Sequence, residues 1–243
     1  MKKTFNNHNI IIMCGGRGSR MGRLTSKIPK PLIEINNKPI LEYKINNYYK
    51  QKYKNITIAV GYKHDLVKAK VQSFDIEENM NIKFSNAGEK AGILERLRFA
   101  SENKKGPILV TYGDTITNID INKLFEAHEN SDNLATIVVA SILNPFGLIK
   151  FDLNNQITSF DEKPLLNYFI GYFIINSNYI NDLDSNTISM NDGKGIVKVF
   201  QDLICINKLG SFFYDGDKIT FNTPSELELA KNKIINFYTS KEV

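Results

Sequence analysis

The feature that most constrains this chain is a short apolar segment that runs directly into a glycine-rich loop. Residues 9–14 form a dense apolar run, and Gly15 and Gly16 follow it without a break. Such a short, continuous run predicts a strand that is buried on both faces. Strands of that kind belong to parallel sheets that helices cover on both sides. The segment therefore predicts an α/β fold with a glycine loop at the carboxyl end of its first strand.

Strand and helix patterns alternate through the first half of the chain. We expect further strands at 55–62, 81–85 and 107–112, and helices at 39–50, 64–74, 91–101 and 121–129. This alternation predicts a doubly wound, mainly parallel sheet. Ligands bind such a sheet beyond the carboxyl ends of its strands. Because Gly15-Gly16 and Gly113-Asp114 both follow strands, the glycine loop and a carboxylate are expected to meet there.

The second half of the chain has a different texture. Short strands are expected at 135–141, 147–151, 157–160 and 168–175, followed by closing helices at 197–206 and 224–238. These strands predict a small antiparallel or mixed β annex that covers the same crevice. No segment has the composition of a linker, so the sequence predicts a single domain, 1–243, with one lobe at 1–130 and another at 131–243.

The charge distribution points to an anionic ligand. The formal net charge is +5, and five basic residues fall close together with no acid among them: Arg17, Arg20, Arg23, Lys27 and Lys30. A nucleic-acid-binding surface is one interpretation of such a cluster. The cluster is rich in glycine and proline, however, and lacks the interleaved aromatic residues of a single-strand platform. We therefore expect a small phosphate ligand and no nucleic-acid partner.

The cysteines and the N-terminal segment bear on the compartment. Cys14 and Cys205 are far apart and outside any CxxC pair, so neither a disulfide framework nor a zinc site is expected. Both are predicted to be buried as small apolar residues. The apolar run near the N-terminus is too short for a signal peptide or a membrane span. The expectation is a cytoplasmic protein with no membrane partner.

The glycine loop itself admits several interpretations. Its spacing from Gly16 to Gly22 is one residue longer than a dinucleotide-binding fingerprint, and a P-loop would need Lys-Ser/Thr where Arg23-Leu24 stands. A surface turn with solvated arginines is the simplest alternative. A nest of backbone N–H groups for phosphate is the other. Lys30, enclosed by two prolines, favours the nest because its ammonium is held in place, and the Arg20 guanidinium is a planar group suited to phosphate.

Taken together, these motifs resemble a known family. Residues 15–21 followed by 27–32 resemble the signature of the sugar-1-phosphate and phosphocholine nucleotidyltransferases, and the resemblance continues at 88–92, 113–114, 144–147, 160–164 and 171–175. It implies a Rossmann-like, GT-A-like nucleotidyltransferase fold with a nucleotide-binding lobe and an acceptor-binding lobe. It also implies transfer from a nucleoside triphosphate to a small phosphorylated acceptor, with release of pyrophosphate. Residues 112–124 resemble the bacterial cytidylyltransferases most, which implies CTP.

The resemblance also implies a role for each site residue. The expected catalytic residues are Arg20, Lys30 and Asp114. The expected nucleotide-binding residues are Cys14, Gly15, Gly16, Gly18, Ser19, Arg20, Gly88, Gly92 and Gly113. The expected acceptor-binding residues are Glu162, Lys163 and Gly171. Mg²⁺, or Mn²⁺ in its place, is expected on Asp114 and Asn222. Simpler interpretations stay open: a turn cap for Asp114, a turn residue or helix cap for Asn222, and a solvated pair for Glu162-Lys163.

The acceptor is the least constrained part of the interpretation. Sugar-handling members often carry a glycine pair where this chain has Ile170-Gly171, which favours a small non-hexose acceptor. Phosphoglutamine, as used in capsular phosphoramidate synthesis, is the first choice. A sugar 1-phosphate such as glucose or heptose 1-phosphate is the alternative. Asn222, where many members have aspartate, leaves open a catalytically inactive nucleotide-binding regulatory protein. A homo-oligomer is also left open.

Overall fold

The computed structural model describes residues 8–191 and 193–239; residues 1–7, 192 and 240–243 of the predicted single domain lie outside them. The strands are β1 Asn9–Met13, β2 Glu34–Ile35, β3 Lys38–Pro39, β4 Asn55–Val60, β5 Asn81–Asn86, β6 Pro107–Tyr112, β7 Thr115–Thr117, β8 Ala135–Leu143, β9 Leu148–Phe151, β10 Ile157–Asp161, β11 Leu165–Asn176, β12 Leu209–Phe213 and β13 Lys218–Thr220.

The helices are α1 Arg23–Lys27, α2 Ile40–Lys50, α3 His64–Gln72, α4 Ile93–Ser101, α5 Ile121–Glu129, α6 Ser177–Asn181, α7 Ser185–Ile188, α8 Lys194–Cys205 and α9 Pro224–Thr239. Two 3-10 turns, Ser19–Met21 and Lys30–Leu32, lie between β1 and β2. Across the described residues, no helix combines the length and apolarity needed to cross a bilayer.

One mixed sheet organises these elements. Its strand order is β12-β8-β11-β6-β1-β4-β5. β1 lies between β6 and β4 and is parallel to both, and β4 is parallel to β5. β11 is antiparallel to both β6 and β8, while β12 is parallel to β8. All strands of this sheet except β11 therefore run in the same direction, which confirms the predicted mixed, mainly parallel sheet.

The two faces of the sheet are covered by different helices. Ile10 and Ile12 of β1 point into a core shared with α2, α3 and α5, whereas Ile11 points into a core shared with α4, α6 and α8. Alternate residues of one strand thus face opposite layers, as the continuous apolar run predicts. A third apolar cluster joins α9 to β2, β7 and β13.

The second half of the chain folds differently from the predicted annex. β8 and β11 are longer than expected and, with β12, extend the main sheet. Among the described residues of this half, β9 and β10 form a separate antiparallel hairpin, and β13 pairs with β7 outside the main sheet. The sequence patterns did not predict β7, β12 and β13. β7 and β13 have three residues each, too short to show a periodicity. Cys205 was predicted to be buried and is exposed, because it ends α8 on the face turned away from the core.

Candidate active site

The glycine loop leaves the carboxyl end of β1 and bends twice. Gly18 and Gly22 both adopt positive φ, +62° and +58°, which glycine tolerates without strain. Between them, Ser19–Met21 forms a 3-10 turn that carries Arg20 to the surface. The Thr25 hydroxyl donates to the Gly18 carbonyl over 2.9 Å. A Cβ built on Gly18 would lie 3.2 Å from the Lys30 Cβ. The loop therefore rests directly against the Lys30 segment.

Lys30 lies at the point where the glycine loop, Asp114 and Asn222 come together. Its ammonium lies 2.5 Å from the Asp114 carboxylate and 3.2 Å from the Asn222 amide oxygen. The side chain is only 8% exposed, although its charged end faces two oxygens. Pro29 precedes the short turn Lys30–Leu32 and Pro31 lies within it, so the backbone that carries the lysine is fixed on both sides.

Two features of the backbone bring Asp114 and Asn222 together. β7 and β13 pair in antiparallel fashion with Thr115 opposite Thr220, so Asp114, one residue beyond this pair, and Asn222, two residues beyond it, leave the same end of the ladder. Asn222 is also held from the α9 side, since its N–H donates to the Glu226 carboxylate over 2.7 Å. The Glu226 N–H in turn donates to the Thr223 hydroxyl over 3.3 Å. Asn222 is thus part of a helix cap and also faces Lys30, and the two interpretations are compatible.

The same oxygens suit a hard divalent cation. The Lys30 ammonium already holds a positive charge between a carboxylate and an amide oxygen. Mg²⁺ is commonly bound by one or two carboxylates, with waters and substrate phosphates completing its shell. Within 8–191 and 193–239, no group of three or more His, Cys, Asp or Glu residues could hold a metal ion. Asp114 and Asn222 therefore fit a cation shared with a phosphate ligand, and their role as ligands stays a prediction.

Gly113 allows the Asp114 turn to approach the glycine loop. Its N–H donates to the Met13 carbonyl over 3.0 Å. A Cβ at this position would lie 2.7 Å from the Cys14 sulfur and 3.0 Å from the Pro31 Cγ. Cys14, predicted to bind nucleotide, thus uses its buried side chain to pack under Gly113. Burial raises the pKa of its thiol and keeps it protonated.

A buried lysine that the sequence analysis did not single out lies behind this turn. Lys44 of α2 donates to the Thr115 carbonyl over 2.6 Å and to the Tyr172 hydroxyl, and lies 4.2 Å from the centre of the Tyr172 ring. Burial lowers the pKa of Lys44 to about 7, opposed by the negative charge of Asp114. Its spacing was a usable signal, because Lys44 falls between Leu41 and Tyr48 on the apolar stripe of the helix.

Residues 88–92, which the family resemblance implies are the loop that binds the nucleobase (the base loop), face the glycine loop across the crevice. Gly88 adopts a φ of +96°, and Gly92 immediately precedes α4. An exposed ion pair spans the gap, with the Arg17 guanidinium 3.2 Å from the Glu89 carboxylate. Arg96 of α4 donates to the carbonyls of both loops, to Gly15 over 3.3 Å and to Glu89 over 2.8 Å. Arg96 was not predicted from the sequence, although it stands four residues before the buried Ala100.

Two of the three predicted acceptor residues, Glu162 and Lys163, lie apart from this centre. Glu162 and Lys163 are exposed on the turn between β10 and β11, with their charged atoms 3.9 Å apart. In the described part of the chain, no hydrogen bond or ion pair connects them to Lys30, Asp114 or Asn222. Gly171 is buried in β11 with a φ of +83°, and a Cβ there would lie 2.9 Å from the Tyr112 ring. The structure therefore unites the predicted nucleotide residues more closely than the predicted acceptor residues.

Comparison with known sequences assigns the chain to a family. The sequence model described as nucleotidyl transferase matches residues 9–204. The chain belongs to the nucleotidyl transferase family. This agrees with the resemblance found in the sequence motifs and with the mixed, mainly parallel sheet.

Relatives within the family are sugar-phosphate enzymes by name. The chain is 33% identical over 155 residues to a D-glycero-alpha-D-manno-heptose 1-phosphate guanylyltransferase of Campylobacter jejuni, covering 63% of this chain and 67% of that protein. It is 28% identical over 229 residues to a mannose-1-phosphate guanyltransferase of Debaryomyces hansenii, covering 89% of this chain and 61% of that protein. The chain thus spans about three fifths of the length of that fungal relative.

Solved structures share the fold. HddC from Yersinia pseudotuberculosis, in a complex with GMP-PN, superposes with a TM-score of 0.69 at 22% identity, covering 93% of this chain and 99% of that one. A glucose-1-phosphate thymidylyltransferase, so named provisionally, from Bacillus anthracis gives a TM-score of 0.73 at 20% identity, with 93% and 94% covered. Both support the nucleotidyltransferase-like arrangement of the sheet and helices.

Proposed function

We propose that this chain transfers a nucleoside monophosphate from a nucleoside triphosphate to a sugar 1-phosphate and releases pyrophosphate. The observation that carries the proposal is the meeting of Lys30, Asp114 and Asn222 beside the glycine loop, in a chain of this family. The names of the relatives favour a sugar 1-phosphate over phosphoglutamine, the acceptor expected from the sequence. They also favour GTP over CTP as the first nucleotide to test.

The chemistry is a single displacement at phosphorus. An oxygen of the acceptor phosphate bonds to the α-phosphorus, and the bond from that phosphorus to the bridging oxygen of the β-phosphate breaks. Pyrophosphate leaves with the electrons of the broken bond. No nucleophile from the protein is required. Because both reactants are anions, the chain has to align them and to stabilise their charge.

Each part of the site suits one of these tasks. Backbone N–H groups of Gly15 to Gly18, together with exposed Arg20, suit the phosphates that depart as pyrophosphate. Lys30 is fixed at the boundary between the loop and Asp114, where an ammonium would stabilise the α-phosphate. A divalent cation on Asp114 and Asn222 would supply further neutralisation of phosphate charge. We expect Mg²⁺ there, with Mn²⁺ able to replace it.

The test is a screen for pyrophosphate release by the wild-type chain. GTP, CTP, UTP, ATP and dTTP are each combined with mannose 1-phosphate, heptose 1-phosphate, glucose 1-phosphate, phosphocholine and phosphoglutamine. We expect the highest kcat/KM with a sugar 1-phosphate and GTP, and loss of release with Asp114→Asn. A clear preference for phosphoglutamine or phosphocholine would refute the sugar assignment. Release with no pair of substrates would favour the inactive regulatory alternative.

Transfer of CMP from CTP to phosphoglutamine is the second candidate function. Residues 112–124 resemble the bacterial cytidylyltransferases, and Glu162 beside Lys163 suits an acceptor with both an ammonium and a phosphate. Charge-assisted contacts of that kind are roughly twice as strong as neutral ones. If CTP and phosphoglutamine were the preferred pair, Glu162→Gln should reduce kcat/KM for phosphoglutamine more than for glucose 1-phosphate.

A further inference from the structure

Arg96 is a buried cation at the junction of three strand ends. Its side chain is only 6% exposed. It is carried by α4, which packs on β1, β4 and β5. One guanidinium nitrogen donates to the Gly15 carbonyl over 3.3 Å, and the other terminal nitrogen donates to the Glu89 carbonyl over 2.8 Å. One side chain thus links the glycine loop after β1, which we call the phosphate loop for its proposed ligand, to the base loop after β5.

Two glycines make room for the guanidinium. The atoms nearest to a Cβ built on Gly61 would all belong to Arg96, at 2.5, 2.6 and 2.8 Å. A Cβ on Gly15 would collide with the same side chain. The guanidinium therefore lies against bare backbone at the ends of β1 and β4. Because neither glycine has a side chain, the ends of β1 and β4 leave enough space for the arginine side chain.

Burying the Arg96 guanidinium costs free energy that packing alone would not require. The Arg96 Nε is buried without a hydrogen-bond partner, and burying a cation costs more than burying an apolar side chain of similar volume. An apolar residue at position 96 would also occupy the buried space against Gly15 and Gly61. What an apolar residue cannot do is bind the carbonyls of two loops at once.

We propose that Arg96 is a positioning residue that sets the spacing between the phosphate loop and the base loop, and so determines the affinity for the nucleoside triphosphate. This inference rests on the proposed function only for the identity of the ligand, a nucleoside triphosphate. The link is a planar fork with two donors aimed at two loops, which a lysine reproduces in part and a methionine not at all.

The first experiment measures nucleotide affinity and turnover in the full chain. GTP, CTP, UTP and dTTP are each titrated into the wild-type chain by calorimetry in the presence of MgCl₂. The triphosphate that binds most tightly is then used for all variants. We expect Arg96→Met to weaken its Kd by about tenfold or more, since small misplacements of positioning groups have effects of up to about a hundredfold. Arg96→Lys should fall between wild type and Arg96→Met. KM for the triphosphate should rise more than kcat falls, with KM for the acceptor unchanged.

Arg98 provides a matched control on the same helix. It also donates to two backbone carbonyls, those of Ile180 and Asn181, but these belong to α6 and its end. Arg98→Met should lower Tm and leave Kd for the triphosphate unchanged. If the two variants lower Tm and weaken Kd in the same proportion, Arg96 is an ordinary structural residue and the proposal is wrong.

A double-mutant cycle tests the geometry directly. Gly61 has no positive φ, so Gly61→Ala introduces no backbone strain of that kind, and its new methyl group would displace the Arg96 guanidinium. We expect Gly61→Ala to weaken Kd in the wild-type background and to have little effect in the Arg96→Met background. Additive effects of the two substitutions would contradict the inference.

Hydrogen exchange separates this inference from the proposed function. In the ligand-free chain, Arg96→Met should speed amide exchange in residues 15–22 and 87–92, and Arg98→Met should not. If wild type binds no triphosphate, the proposed function fails while this measurement still decides the role of Arg96. Unchanged exchange in both loops, with or without nucleotide binding, would overturn the positioning role.

Discussion

Replacement of buried Lys44 by methionine should stabilise the protein and remove part of its dependence on pH. The ammonium lies in the core between α2, β7 and β11, where burial lowers the pKa of Lys44 from 10.5 to about 7. Methionine has nearly the same length and no charge. The Thr115 carbonyl keeps a partner after the change, because the Tyr172 hydroxyl also donates to it over 2.9 Å. The Tyr172 oxygen loses the donor that Lys44 supplied, but its hydroxyl keeps its own hydrogen bond to Thr115.

The magnitude follows from the shift in the pKa. A pKa lowered from 10.5 to about 7 corresponds to a burial cost on the order of 5 kcal/mol for the protonated amine. Part of that cost is offset by two hydrogen bonds and the aromatic contact, which Lys44→Met also removes. We therefore expect a net gain of about 1–4 kcal/mol in the free energy of unfolding at pH 7.

The sign of the pH dependence is also determined. Below pH 7, Lys44 is protonated in both the folded and the unfolded chain, so the cost is present in full. Between pH 7 and 10.5 the unfolded chain holds more protons at this residue than the folded chain. The destabilising effect of Lys44 therefore decreases, and the free energy of unfolding rises, as the pH increases across that window. The advantage of Lys44→Met over wild type should shrink by about 2–3 kcal/mol from pH 7 to pH 9.

The assay is urea denaturation of both proteins at pH 6, 7, 8 and 9. Lys68→Met, a change at an exposed position of α3, controls for the loss of one lysine and should show no such trend. Comparing the proteins at each pH cancels the titration of all groups that they share. A constant difference between Lys44→Met and wild type from pH 6 to pH 9 would refute the reasoning, as would a less stable variant at pH 6.

Three further predictions concern catalysis and acid stability. Asp114→Asn should lower kcat by about a hundredfold or more, as expected for one preorganised electrostatic group, and near-normal turnover at saturating Mg²⁺ would contradict it. Under the proposed role of its ammonium in the transition state, Lys30→Ala should lower kcat and kcat/KM together in pyrophosphate-release assays; a change in KM alone would make it a binding residue. Burial lowers the pKa of His128 below 6.5, so the unfolded chain gains a proton first and stability falls as pH drops below that value. His128→Gln should lose less Tm than wild type between pH 7 and pH 5, and equal losses would exclude this role for His128.

The part of the candidate site around the glycine loop was largely predictable from local patterns. The run that becomes β1 and the helix at 121–129 were read directly from periodicity, because burial on two faces or on one stripe leaves a regular trace in the sequence. Lys30 could be singled out because two prolines restrict its backbone. Asp114 could be singled out because it follows a strand and a glycine. Their proposed roles stay predictions, as do those of Glu162, Lys163 and Asn222.

The sequence predicted that Asp114 would lie near the glycine loop and share a cation with Asn222, but only the tertiary structure showed how these residues and Lys30 come into contact. Lys30 contacts Asp114 and Asn222, which are 84 and 192 residues away in the sequence. The pairing of β7 with β13 that brings them together could not be predicted from any sequence periodicity. Backbone hydrogen bonds between short strands can form with almost any sequence, so the side chains carry little record of their partners. Lys44 and Arg96 were missed for a related reason. A single charged residue on an apolar stripe looks like an interruption until the carbonyls that satisfy it, brought by other elements, are seen around it.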